Sequence, residues 1–368
     1  MGLRRIHGRV FALLALAVCG LPGAAAVAEE PGALAPFEAV LLTTAHDAEA
    51  QNSEVRRVHV GPSGQSSTTI GVIDHAPGAV VRGDARDGVA WVVADEDPGL
   101  PDWGASLFEV RAGQGARRVL GRVGHAGRPL ASASGAVFVE RGRAGTPPTL
   151  DEIEQGMLRV DPITIDAYDP RTTATRTLYS SDAYALHLAG EHAGELVVYR
   201  VAPDGAALLA IDEASGRSRV VTTLMPFARD FSIDEGRGAI VLSDRDAADP
   251  HTWTVERVDL ATGARSVLHA SRDDQPAALA LPSGAVAFTA DGRRGLVSGG
   301  RPMAPLGGGF DAPVLATGDG ALLALEHREA GAWDRTAVVD LATGRAVRLG
   351  GDERVTLLEL GSATGGVR

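Results

Sequence analysis

VVDLATGRAVRL, residues 338–349, reads as a strand, a polar turn and a second strand. Asp340 can bond its own backbone and Gly344 accepts the angles a tight turn demands, while Val338, Val339 and Val347 suit the flanking strands. The pattern recurs as RVDLATGARSVL at 257–268 and as AIDEASGRSRVV at 210–221. Weaker copies run through Ala167-Tyr168-Asp169-Pro170, from Glu109 to Gly115 and from His59 to Gly64, and a degenerate one lies at Leu296-Val297-Ser298-Gly299.

A second series keeps step with the first. Apolar runs at 89–93, 136–139, 196–199, 239–242, 285–288 and 321–325 each precede a hairpin, and Ala39 to Leu42 opens the series. Seven runs thus alternate with seven hairpins, and the six intervals between Gly61 and Asp340 average 46.5 residues. A period of about 40–50 residues built from short strands marks β-propeller blades. The expected fold is all-β, a seven-bladed β-propeller, with six or eight blades as the alternatives.

A lone blade cannot bury both of its faces, so each packs on the next and the ring must close. Inner strands of later blades are read at Pro276 to Leu281 and from Pro313 to Ala316. Blade 1 has none ahead of Ala39, but Val355 to Leu360 has the same form. This C-terminal strand is expected to complete blade 1 and close the ring.

The repeated strings resemble those of bacterial secreted propellers of the TolB-like and YVTN types. Phe231-Ser232-Ile233-Asp234-Glu235-Gly236, followed by Ile240 to Leu242 and Ser243-Asp244-Arg245-Asp246, is similar to the TolB-like repeat of strand, S-P-D-G, apolar strand and S-D-R-D. The resemblance covers nearly all of the chain after the N-terminal segment and implies architecture. No α/β domain of the TolB kind is legible ahead of the repeats, so it carries over neither a Tol-system role nor a catalytic residue.

At the N-terminus, Arg4, Arg5 and Arg9 flank an apolar run from Val10 to Val18, and small residues lead to an A-x-A site at Ala26-Val27-Ala28. This is the pattern of a secretory signal peptide, and the run is shorter than the roughly 20 residues a bilayer span needs. The expected organisation is a signal peptide over 1–28, a short linker over 29–36 and one propeller over 37–368 with a helical insert near 142–162. The expected location is the periplasm or the medium. Cys19 follows Leu16-Ala17-Val18, a lipobox-like string with Val18 where a small residue is usual, so a lipoprotein anchored through Cys19 is the alternative.

The chain has no lysine, and removing residues 1–28 takes away three arginines and no acid, moving the net charge from −12 to −15. Such a surface argues against nucleic acid and anionic membranes as partners. The single cysteine leaves with the signal or carries the lipid, so the folded part has no disulfide and no thiolate zinc site.

No nucleophile elbow, H-E-x-x-H, phosphate loop or EF-hand pattern occurs, and no catalytic residue is assigned. Three sets of residues are candidates for binding. Trp103, Trp253 and Trp333 fall 6–8 residues before a hairpin marker, in the link between the second and third strands of a blade. There they can stack on sugars or anchor a peptide, or instead start a strand and cover its core. Thr149-Leu150-Asp151-Glu152 is a capping box, and Leu150, Ile153 and Met157 share a helical face, either for a partner or for a neighbouring blade. Finally, Asp74, Asp182, Asp230, Asp273 with Asp274, Asp311, and Asp352 with Glu353 recur just before inner strands, while blade 3 offers His125 and Arg128 instead. Carboxylates converging on one axis repel each other unless a cation joins them, and oxygen ligands suit Ca²⁺. Aspartate is also simply a favoured turn residue.

Two readings of function follow. The first is a non-catalytic, monomeric scaffold that binds a protein, peptide or glycan in the bacterial cell envelope. The second is a lactonase- or lyase-like propeller enzyme with an acidic, Ca²⁺-dependent site at the central channel. N-terminal sequencing of the exported protein is expected to begin at Glu29; a blocked, palmitate-labelled terminus at Cys19 would establish the lipoprotein instead.

Overall fold

Every apolar run singled out in the sequence lies in the second strand of an antiparallel group. The computed structural model describes residues 34–46, 49–97, 104–124, 127–142, 162–272, 275–290, 293–297, 310–328, 335–351 and 353–362. The expected signal peptide, Cys19, and the insert with Leu150 and Ile153 lie outside the described residues. The description below concerns the unit Pro31–Arg368.

The first group is β1 (Phe37–Thr44), β2 (Asn52–Gly61) and β3 (Gly64–Asp74). Next come β4 (Val81–Arg86), β5 (Val89–Asp95), β6 (Ala105–Arg111) and β7 (Gly115–Val123), then β8 (Leu130–Ala131), β9 (Val137–Arg141), β10 (Ile163–Asp169) and β11 (Ala174–Ser181). They are followed by β12 (Ala185–His192), β13 (Glu195–Ala202), β14 (Gly205–Asp212) and β15 (Ser218–Leu224), and by β16 (Arg229–Asp234), β17 (Ala239–Arg245), β18 (Thr252–Asp259) and β19 (Arg265–Arg272). The last groups are β20 (Ala277–Ala280), β21 (Val286–Ala290) and β22 (Arg293–Val297), then β23 (Phe310–Ala316), β24 (Leu322–Arg328), β25 (Arg335–Asp340) and β26 (Ala346–Leu349), with β27 (Arg354–Ser362) at the end. Neighbours within each group pair in chain order, and a bridge from Val123 to Arg141 joins β7 to β9 in one continuous sheet. The chain is all-β with a β-propeller arrangement. Among the described residues no helix is long and apolar enough to cross a membrane.

The expected closing strand is present. β27 pairs antiparallel with β1, from Phe37 opposite Ser362 to Thr44 opposite Arg354, with a bulge between Val40 and Leu41. Alternate side chains of β1 then face different neighbours. Phe37, Ala39 and Leu41 pack with Leu322 and Ala324 of β24 and Val338 of β25, while Val40 and Leu42 pack with Ala90 and Val92 of β5. Burial on both faces explains why these strands read as unbroken apolar runs rather than as an alternation. Among the described residues, seven buried clusters follow this rule, each shared by consecutive strand groups.

The hairpin turns dock as well as reverse the chain. Asp259 Oδ1 accepts the Thr262 backbone N–H and hydroxyl, both at 2.7 Å, and Asp340 Oδ1 accepts the N–H groups of Ala342 and Thr343. These bonds, that of the Thr262 hydroxyl foremost, hold the Asp259 carboxyl below its usual range. Gly263 sits at φ +73°, and a Cβ there would collide with the Val221 carbonyl of β15 in the preceding group. Glycine is thus required twice over, for its backbone angle and for the close approach.

Truncation after Gly350 removes β27 and with it the buried Val355, Leu357 and Leu358. At about 1.5–3 kcal/mol for each side chain, this loss is on the scale of the roughly 5–15 kcal/mol that holds a whole domain. The truncated protein is expected to aggregate or to melt far earlier, as followed by circular dichroism; an unchanged melt would show that β27 is dispensable.

Candidate functional site

Links between successive antiparallel strands alternate between two ends. The Asp212, Asp259 and Asp340 turns lie at one end, here the lower. The β15–β16 link (residues 225–228) and the β17–β18 link (246–251) lie at the other.

The sequence-predicted acids among the described residues take different positions. Asp74 is the exposed last residue of β3, and Asp182 is exposed just after β11. Asp230 and Asp311 lie within inner strands rather than ahead of them. Asp311 is fully buried with its Oδ1 2.7 Å from His327 Nδ1. Glu353 pairs with Arg56 at 2.7 Å, and Arg128 with Asp84 at 2.9 Å. Asp273, Asp274, Asp352 and His125 lie outside the described residues. Among the described residues no three His, Cys, Asp or Glu side chains are grouped to hold a metal ion. Arginines also stand at or next to the first residue of inner strands: Arg82 in β4, Arg229 in β16 and Arg354 in β27. Burial, then repulsion from Arg354, lowers the Arg82 pKa against the attraction of Glu326 and Asp95.

Trp103 and Trp333 also lie outside the described residues, whereas Trp253 is described and is the centre of a built structure. It is the second residue of β18, opposite Arg245, and not part of the link expected from sequence. It is 7% exposed. The Arg245 guanidinium carbon lies 4.9 Å from the centre of its ring and that of Arg229 5.4 Å. Arg245 also lies 5.8 Å from the ring of Phe227, which is 64% exposed.

The turn that presents Phe227 is strained and firmly held. Phe227 has φ +85° and Asp230 φ +56°, angles that L-residues rarely adopt; such positions typically cost about 1–3 kcal/mol and persist where the surroundings over-determine them. Three groups hold the turn at Met225 and Phe227. The Tyr199 hydroxyl, from β13, donates to the Met225 carbonyl at 2.9 Å and accepts the Phe227 N–H at 3.0 Å. Asp244, fully buried, accepts the Met225 N–H at 3.2 Å, the Arg245 N–H at 2.9 Å and a guanidinium N–H of Arg265 at 2.9 Å. Arg265 in turn donates to Glu256 at 2.6 Å. Burial nevertheless pushes the Asp244 carboxyl up, against those donors, and burial raises Tyr199 too. Finally, Arg229 Nε donates to the Phe227 carbonyl at 3.3 Å.

Beneath the turn, His187 of β12 stacks on Tyr199 with ring centres 5.9 Å apart, and Tyr199 meets Phe231 at 5.2 Å. Burial holds His187 below its usual range.

No family model matches the chain, and no curated protein sequence matches it. Solved structures do. That of TolB from Acinetobacter baumannii is 10% identical, with a TM-score of 0.51 over 87% of this chain and 66% of that one. A prolyl endopeptidase structure is 13% identical, with a TM-score of 0.59 over 87% of this chain and 50% of that one. A puromycin-hydrolysing peptidase of Mycobacterium tuberculosis is 15% identical, with a TM-score of 0.53 over 74% and 46%. The chain therefore spans no more than about two thirds of these proteins. At such identities the likeness is one of fold, and the fold is the TolB-like β-propeller that the repeats implied.

His187 generates a pH dependence whose sign is fixed. A folded pKa below the unfolded value of about 6.5 means that its contribution is present above that pH and lost as pH falls through the folded value. The melting temperature is expected to drop between about pH 7.5 and pH 5, and His187→Phe, which keeps the stack but cannot take up a proton, is expected to narrow that drop. An equal drop in both proteins would remove His187 from the account.

Proposed function

We propose that the protein is a non-catalytic binding propeller of the bacterial cell envelope, periplasmic or secreted, that meets a partner protein, peptide or glycan at its upper end. The observation that carries this reading is the turn at 225–230. A large apolar side chain is held out to solvent on a backbone of unfavourable angles, and two neighbouring elements supply the hydrogen bonds that keep it there. Strain sustained in this way is characteristic of ligand contacts and has no evident use in folding. An exposed aromatic beside arginines is also the composition of interface anchors.

The reading includes seven blades, with β4–β7 and β8–β11 taken as separate and β20–β22 as the sixth. It is supported by the seven buried clusters, which link the groups in order and return from β24–β26 to β1. This chain spans about half of each peptidase neighbour, and their activity is theirs alone.

A photo-crosslinking amino acid in place of Phe227 is expected to give an adduct with an envelope component in living cells. The same amino acid in place of Thr343, at the lower end, is expected to give none. Adducts from Thr343 alone, or turnover of a lactone or uronate polymer by the purified protein, would overturn the proposal.

A further inference from the structure

We infer that Arg245 and Arg229, with Phe227 beside them, form a binding site for a peptide C-terminus that ends in an apolar residue. The inference rests on the binding reading above and names the chemistry of its ligand.

A guanidinium offers two kinds of surface. Its flat faces stack on aromatic rings, and its edge carries the N–H donors that match a carboxylate. Arg245 lies over the rings of both Trp253 and Phe227, at 4.9 and 5.8 Å. These contacts engage its faces and leave its edge. The Nε atom of Arg245 is buried and makes no hydrogen bond among the described residues. A buried donor left in this state is unfavourable until something accepts from it. Arg229 is likewise held over Trp253, with Nε on the Phe227 carbonyl, so its terminal nitrogens project without a carboxylate partner among the described residues.

Of the acids nearest in the chain, Asp230, beside Arg229, is half-buried and has a contact of its own, and three others are engaged as follows. Asp244 is bound by Arg265 and two backbone N–H groups. Asp246 accepts the Ala248 N–H, and Asp249 accepts from His251 and Thr252. A carboxylate from outside the chain matches these donors. Its neighbour is specified as well, because Phe227 is exposed apolar surface adjoining Arg245. A peptide's last residue carries a carboxylate and a side chain on one carbon, so a terminal apolar residue satisfies both contacts at once.

The probe is the acetylated tripeptide Ala-Ala-Phe, as free acid and as amide, titrated into the full chain by calorimetry. The acid is expected to bind and the amide to bind at least about tenfold more weakly, since a hydrogen bond to a charged group is worth about one to two decades of affinity. Phe227→Ser alters an exposed side chain and should leave melting unchanged, whereas Arg229→Gln also gives up the bond to the Phe227 carbonyl and should melt slightly earlier; each is expected to weaken the acid by about tenfold. Equal binding of acid and amide, no binding of the acid at millimolar concentration, or full affinity in Arg229→Gln would overturn the inference. So would equal binding of an amidated tripeptide with a central glutamate, which would assign the site to acidic side chains. If crosslinking through Phe227 persists while the tripeptide acid fails, the binding reading stands and this ligand falls; loss of both removes both.

Discussion

The structure depends on one constraint: a small twisted sheet with two apolar faces is stable only between two others. In β1 the constraint acts residue by residue, since Leu41 and Leu42 point into different clusters and neither can be made polar without leaving a neighbour uncovered. A linear array of such sheets would end in two exposed faces. The pairing of β27 with β1 avoids this, because the last strand of the chain contributes Val355 and Leu357 to one junction and Leu358 to the other. The stabilising term is hydrophobic burial throughout, as it must be in a chain with a single cysteine.

That framework is what allows the 225–230 turn to be strained. Tyr199 belongs to β13 and the turn leads into β16, so the hydroxyl that holds Met225 and Phe227 reaches across the junction of two strand groups. The junction itself is closed by Leu208, Leu224, Ile240 and Leu242, all buried. Rigid packing below and a polar network of Asp244, Arg265 and Glu256 alongside leave the turn few ways to relax. A site on such a support binds with little loss of conformational freedom, which favours affinity.

The fold was legible because its signals are local. Asp259 and Gly263 announce a turn by chemistry that acts within five residues, and repetition multiplies a weak signal. The closing strand was legible because Val355 to Leu360 had no other place in the count. The site was legible only in fragments. Ser243-Asp244-Arg245-Asp246 reads as a repeat signature, yet its roles differ: Ser243 donates to the Pro276 carbonyl, Asp244 ties the turn, and Arg245 lies on Trp253. Nothing local marks Phe227 for positive φ, and the groups that hold its turn, Tyr199 and Asp244, are distant in sequence. The acids show the converse. Asp311 resembles the other recurring aspartates in sequence, but burial beside His327 gives it a structural partner.

The absence of lysine gives the site its character. With arginine as the sole permanent cation on the side chains, every positive charge comes as a plane that can lie on a ring and still donate at its edge. An ammonium over Trp253 would gain the cation–π attraction but would lose the paired donors. The net charge of −12 acts in the opposite sense at longer range. It disfavours polyanions, whose many charges meet the field of the whole surface, whereas a ligand with one carboxylate mostly meets the arginines within the screening distance of about 8 Å. Short-range attraction by Arg229 and Arg245 within an acidic surface thus selects for a single charge beside an apolar group, and it does so by physical terms that are already present in the unliganded fold.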